Sequence, residues 1–190
     1  GSTIDAGANK TSSERTIEIA SFGVYMEQTV GWQDKLFVTG ALRRDQNSAF
    51  GTNFQSIAYP KASASYLISQ EEWWKAPGFV NSVRLRYAYG QSGVQPGPND
   101  AIRFFTANST SIAGTDQPTV IQAALGNDNL KPERSAEQET GFEVGMFDGR
   151  LNLDATYYSK ITQDALISAV LPPSYGSVTS QLRNLGSVKN

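Results

Sequence analysis

Apolar side chains fall on every second residue along several stretches of this chain, and the joins between those stretches alternate between tight and long. The clearest stretch runs from Ser82 to Gly90. Val83, Leu85, Tyr87 and Tyr89 share one face of it, and Ser82, Arg84, Arg86, Ala88 and Gly90 share the other. A period of two specifies a β-strand whose faces meet different surroundings. Arg84 and Arg86 require water or partners, because an unpaired buried charge is prohibitively costly. A half-exposed soluble sheet alternates in the same way, so the other stretches must decide what those surroundings are.

Five further strands follow from the same pattern. The first covers about residues 21–32, with Phe22, Val24, Met26, Val30 and Trp32 aligned and interrupted by Gln28. A tight turn at Gln33-Asp34 leads to the second strand, about 35–44, which aligns Leu36, Val38, Gly40 and Leu42. The third covers about 57–69; its Pro60 belongs near the strand start or at an irregularity, since it cannot donate a ladder hydrogen bond. Residues 136–147 and a strand starting at Arg150 flank Asp148-Gly149, a pair suited to a hairpin turn with positive φ. Residues 181–188 suggest a seventh strand. Between residues 91 and 135 no period is sustained, and so long a loop is usually functional or disordered.

Composition removes most chemistry. The 190 residues contain no histidine and no cysteine. The commonest general base, the thiol nucleophile, the disulfide framework and the usual zinc ligands are therefore missing. No two carboxylates are positioned as a hydrolytic pair, so no enzyme, catalytic residue or cofactor is expected. Sixteen basic side chains against 18 acidic ones give no nucleic-acid footprint. In Gly126-Asn127-Asp128-Asn129 only Asp128 is a carboxylate, which is too few for calcium, and no metal site is expected. No apolar run reaches the roughly 18 residues of a transmembrane helix. No export signal is visible at the N-terminus, which for a membrane barrel means a mature chain or an excerpt. Asn9-Lys10-Thr11 and Asn108-Ser109-Thr110 match the glycosylation pattern by chance.

The joins read short, long, moderate, long, short, long. Antiparallel pairing gathers the shorter joins at one end and the long ones at the other, as in outer-membrane β-barrels. The strands also exceed the five or six residues usual in soluble sheets and reach the length needed to cross a bilayer at a tilt. The expected fold is all-β: a segment of a large antiparallel transmembrane β-barrel, about six or seven strands of it. Such a segment cannot close alone, and an open edge in hydrocarbon is costly.

Several motifs narrow the reading. Asn129-Leu130-Lys131-Pro132-Glu133 precedes Glu137, Glu139, Gly141 and Glu143. Upstream lie residues 37–43, 45–51, Tyr59-Pro60-Lys61 and Arg84-Leu85-Arg86-Tyr87-Ala88-Tyr89-Gly90; downstream lie Tyr157-Tyr158 and Asn184-Leu185-Gly186. In order and spacing, this set resembles the late barrel of SusC/RagA-like TonB-dependent outer-membrane transporters, from about Phe22 to the C-terminus. The resemblance implies a bacterial outer-membrane location and a barrel of about 22 strands with a plugged lumen. It also implies energy delivered by TonB, a SusD-like lipoprotein over the mouth, contact with outer-membrane lipid, and oligosaccharide or peptide cargo. Residues 1–190 are then a partial barrel domain, with the plug domain and remaining strands absent from this sequence. A passive outer-membrane porin and a soluble β-sandwich carbohydrate-binding module are the alternatives.

Candidate residues follow from these readings. Trp32, Trp73 and Trp74 lie at the tight-turn end, where interfacial aromatics anchor membrane proteins; capping an ordinary core is the competing role. Arg84, Arg86, Glu137, Glu139 and Glu143 are lumen-facing candidates, or else a solvated strand face. Arg103, Phe104 and Phe105 in the long loop, with Tyr175 in the next one, are the substrate-binding candidates, since aromatic faces suit sugar rings and arginine suits carboxylates. Pinning the loop or packing against a lid protein is an equal alternative for the phenylalanines. Lys131-Pro132-Glu133 is read as structural, with Pro132 stiffening the re-entry into the fifth strand.

Overall fold

The computed structural model describes residues 16–52, 56–176 and 180–190, so the Asn9-Lys10-Thr11 motif lies outside the described residues. The chain forms β1 (Ser21–Trp32), β2 (Leu36–Asn47), β3 (Ile57–Leu67), β4 (Val80–Val94), β5 (Phe104–Ile112), β6 (Thr115–Ala124), β7 (Glu133–Met146), β8 (Leu151–Gln163), β9 (Leu166–Val170), β10 (Ser180–Asn184) and β11 (Ser187–Lys189). Seven of these make one sheet in the order β1-β2-β3-β4-β7-β8-β11, while β5-β6 and β9-β10 form separate two-stranded sheets. All pairings are antiparallel. The expected up-and-down segment is therefore present, and two of the three long joins, those after β4 and β8, each carry a hairpin of their own.

Two tight turns set the register of the sheet. Gln33 and Asp34 have φ of 50° and 55°, and Asp148 and Gly149 have φ of 55° and 81°. In each turn the N–H of the residue after the pair donates to the carbonyl of the residue before it. Two consecutive positive φ values match the right-handed twist of flanking strands. At the same end, the join between β3 and β4 contains a short 3₁₀ turn, Ile68–Gln70. The third strand consequently stops at Leu67, two residues before the sequence pattern does.

Three boundaries at the loop-bearing end move outward, while β1 keeps its expected bounds. β2 runs on to Asn47 because Asp45 to Asn47 pair with the start of β1. β4 and β7 extend to Val94 and Glu133 because they pair with each other beyond the reach of β3. Pro60 pairs with Leu42 of β2, and pairing with β4 begins one residue later at Lys61. The imino acid thus sits where the ladder is one-sided, which a missing N–H tolerates. The expected seventh strand divides at Leu185-Gly186: residues 180–184 turn back on β9, and residues 187–189 join β8.

Both faces of the main sheet stay open. Met26, Leu85 and Phe142 are 72%, 43% and 40% exposed, so among the described residues no second layer covers the apolar face. This overturns the β-sandwich alternative, which needs two sheets packed face to face. What is buried collects at the end bearing the long joins. Phe50, Ile57 and Tyr59 form a small cluster there, and Leu130 and Pro132 are fully enclosed. Gly51 fits beneath this motif: its N–H donates to the Leu130 carbonyl at 3.0 Å. A Cβ at Gly51 would stand 2.3 Å from the carbonyl oxygen of Asp128, so only glycine permits the approach.

Candidate functional site

Register decides which charges meet. Arg84 of β4 stands opposite Glu143 of β7, and Glu143 stands opposite Asp154 of β8. Arg86 stands opposite Gly141, and Gly141 opposite Thr156. The Arg86 guanidinium reaches Glu143 at 2.9 Å and crosses β7 to reach Asp154 at 2.6 Å, with Thr156 Oγ1 at 3.3 Å. Gly141 makes this crossing possible. A Cβ there would lie 3.0 Å from Thr156 Oγ1 and 3.4 Å from the guanidinium. One arginine thereby staples three consecutive strands.

The same face carries other lateral pairs. Arg84 meets Glu143 at 3.6 Å, Lys160 meets Glu137 at 3.8 Å, and Lys61 meets Glu27 at 3.4 Å. Tyr25 donates its hydroxyl hydrogen to Glu27, and the hydroxyls of Thr29 and Thr39 are 2.9 Å apart. All of these residues remain in contact with solvent, where a pair is worth only about 0–1 kcal/mol. Their main effect is to neutralise the wall against itself, strand by strand. Arg84, Arg86, Glu137, Glu139 and Glu143 thus share one face, as the alternation required. Glu139 borders a depression of about 280 Å³ floored by Ser63, Ser65 and Gly141, with Arg86 at its side.

The opposite face is apolar across the sheet. Val83, Val144 and Leu153 form one row; Leu85, Phe142 and Ala155 form the next. Leu36 and Tyr66 continue the row of Leu85, and Trp32 extends it onto β1. Gln28, the polar interruption, donates its side-chain amide to the Thr29 carbonyl at 3.0 Å. Its polarity is thereby partly satisfied on its own strand.

The three tryptophans lie at the tight-turn end. Trp32 closes β1 and is 66% exposed; Trp73 and Trp74 meet edge to face at 6.2 Å in the join between β3 and β4. The sequence reading missed a second aromatic pair there. Phe79 and Phe147 stack at 5.5 Å, and the Phe147 N–H donates to the Phe79 carbonyl. Two phenylalanines, each bordering a turn at the same end of an antiparallel sheet, were the available signal.

The loop candidates stand on separate hairpins. Arg103 Nε donates to the Leu125 carbonyl at 3.5 Å, closing the neck of the β5-β6 hairpin. Phe104 pairs with Ala124 and Phe105 with Gln122, across a register irregularity. Phe105 is 58% exposed. Tyr175 ends the 3₁₀ turn Pro173–Tyr175 and is 55% exposed.

A latch that the sequence reading did not anticipate joins the two long excursions. Asn184 accepts a hydrogen bond from the Lys131 N–H at 2.9 Å and donates to the Lys131 carbonyl at 2.8 Å and the Asp164 carbonyl at 2.9 Å. Asn127 donates to the Leu182 carbonyl and accepts from the Asn129 N–H, and Gln181 donates to the Gly126 carbonyl. Side-chain amides here do the work of a ladder between segments that are not paired strands. Asn127 lies in the stretch rejected as a calcium loop. Among the described residues, no group of three or more His, Cys, Asp or Glu side chains is arranged to hold a metal ion.

Comparison with known proteins agrees with this architecture. The profile described as TonB dependent receptor-like, beta-barrel, matches residues 1–190. TonB-dependent receptor P39 of Formosa agariphila is 31% identical over 186 residues, which cover 96% of this chain and 17% of that protein. TonB-dependent receptor SusC of Bacteroides thetaiotaomicron is 22% identical over 162 residues, covering 83% of this chain and 16% of that protein. The structure titled RagAB peptide importer in the "open-open" state superposes with a TM-score of 0.81 at 23% identity, covering 98% of this chain and 20% of that one. The chain spans 16–18% of the length of the curated relatives it matches. An open seven-stranded sheet with one apolar face, an ion-paired opposite face and a match along its whole length identifies this chain as a member of the TonB-dependent receptor-like β-barrel family.

Proposed function

We propose that this chain is a wall segment of a bacterial outer-membrane importer, energised through TonB, that admits oligosaccharides or peptides beneath a SusD-like surface lipoprotein. The observation that carries the reading is the division of the sheet. Leu85 and Phe142 lie open on one face, while Arg86, Glu143 and Asp154 tie three strands together on the other. Lipid suits the first face and a wetted lumen the second. Arg84, Arg86, Glu137, Glu139 and Glu143 then line the pore, and Trp32, Trp73 and Trp74 mark the periplasmic interface. The β5-β6 and β9-β10 hairpins rise from the opposite end. Phe105 and Tyr175 offer aromatic surface there to cargo or to the lipoprotein lid.

The mechanism is binding and gated passage with no covalent step. A wall whose charges are already paired neither attracts nor repels cargo strongly, which leaves selection to the loops. The test uses the full-length gene in its own host. Uptake of the cognate oligosaccharide or peptide should disappear when either the transporter or TonB is deleted, and a surface lipoprotein should copurify. Uptake that persists without TonB would refute energy coupling, and the absence of a copurifying lipoprotein would refute the lid.

A further inference from the structure

The apolar face holds a feature that a smooth lipid-facing wall does not require. An open depression of about 660 Å³ lies over β1 and β2, bordered by Ala41 and Lys61, of the opposite parity, and by Val24, Met26, Gln28, Gly40, Leu42 and Arg44. The last six residues share the apolar parity of their strands: Val24 pairs with Arg44, Met26 with Leu42, and Gln28 with Gly40. Gly40 and its partner on β3, Ala62, keep the floor low. A Cβ built at Gly40 meets nothing within 4 Å, so the hollow is real space rather than a close contact.

Arg44 closes the loop-bearing end of this hollow. Its Nε and Nη2 donate to Ser56 Oγ at 3.2 and 2.9 Å. Its neighbour Arg43, on the other face, pairs with Asp45 at 2.7 Å. Among the described residues no carboxylate pairs with Arg44. From Gly40 to Arg44 is four residues, about 13 Å of strand, which at the usual barrel tilt rises about 10 Å, roughly a third of the hydrocarbon core. An exposed arginine on a lipid-facing strand costs about 2–4 kcal/mol at the midplane and close to nothing at the interface. Arg44, eight positions along β2 from Leu36 at the tryptophan end, belongs at the opposite interface.

We propose that this hollow is a binding site for one membrane lipid of the loop-side leaflet, with an acyl chain over Gly40 and Ala62 and a phosphate headgroup on Arg44 and Ser56. The inference rests on the membrane-wall reading above. The guanidinium, hydrogen-bonded to Ser56 but to no described carboxylate, and the adjacent hydroxyl supply the complement of a phosphate. Val24, Met26 and Leu42 supply the apolar lining.

The test takes the full-length transporter extracted from outer membranes, delipidates it in mild detergent, and measures retained lipid by native mass spectrometry. The probes are dioleoyl phosphatidic acid, dioleoylglycerol and inorganic phosphate. Wild type should retain one phosphatidic acid, retain dioleoylglycerol poorly, and keep its lipid in the presence of inorganic phosphate. Arg44→Ala should weaken retention roughly tenfold or more, as expected for losing a charge-assisted contact. Gly40→Leu fills the hollow without a clash and should do the same while leaving the thermal transition unchanged. Equal retention by both variants, equal retention of dioleoylglycerol, or release of the lipid by inorganic phosphate would overturn the site. If the protein embeds in the membrane but these arms fail, only the lipid site is lost. If it is recovered in the soluble fraction, the membrane-wall reading fails with it.

Discussion

The Arg86 staple in the wall and the Asn184 latch at the loop-bearing end both join segments that are not ladder neighbours, but they use different chemistry. In the wall, an arginine lies across Gly141 and ends on Glu143 and Asp154, with water still in reach. At the loop-bearing end, an amide bonds to main-chain groups of Lys131 and Asp164 beside the enclosed Leu130 and Pro132. The contrast follows from what surrounds each region. The wall has no packed core among the described residues, so its stability comes from the hydrogen-bonded ladder and, on the proposed reading, from lipid and water sorting its side chains. The loop base carries most of the burial and so behaves as an ordinary small core, in which an unsatisfied polar group is expensive.

The largest effect expected is on the apolar face. Leu85→Arg should lower the stability of the full-length barrel in lipid vesicles by about 2–4 kcal/mol, whereas Ala88→Arg on the other face should cost under about 1 kcal/mol. Urea unfolding in vesicles measures both, and equal costs would erase the distinction between the faces. Next comes the latch. Asn184→Ala removes three hydrogen bonds to main chain, two exposed and one part-buried, and should loosen the loop base by about 0.5–1.5 kcal/mol. It should be read as faster hydrogen exchange at the Lys131 amide, with exchange at Arg86 and Gly141 unchanged. Exchange that accelerates equally in the wall would show that the two regions are not separate. The smallest effect belongs to the staple. Arg86→Met should cost about 0–1 kcal/mol, because exposed pairs are weak and salt-screened, and added salt should shrink the difference. A loss of several kcal/mol would mean that the wall depends on its ion pairs.

The same contrast explains what the sequence disclosed. The wall strands were legible because a sheet with two faces of different polarity writes a period of two into every strand, as at Val83, Leu85 and Tyr87. Even the interruption at Gln28 left the phase intact. The turns at Gln33-Asp34 and Asp148-Gly149 were legible from residue type. The β5-β6 hairpin was not, since Thr106 to Ser111 are small or polar on both faces and nothing alternates. Its turn, Ala113-Gly114, has φ of 52° and 79° but carries only a weak signal. Asn127, Gln181 and Asn184 escaped notice for a different reason. Their role depends on two excursions meeting in space, and an asparagine that bonds to backbone looks the same in sequence as one facing water. The charge pairs fell in between: register supplied them, but only once β4 and β7 were known to be neighbours across a long insertion.

The most direct test of the proposed two-solvent wall is a cysteine scan through β4, in a full-length background cleared of any other cysteine. Single cysteines at positions 83 to 88 of the full-length protein, spin-labelled in vesicles, are challenged with oxygen and with a water-soluble nickel chelate. Strict alternation is expected, with oxygen relaxing the labels at positions 83, 85 and 87 and nickel relaxing those at 84, 86 and 88. If all six labels respond alike, or if the odd positions favour nickel, the apolar face does not meet lipid and the account is wrong.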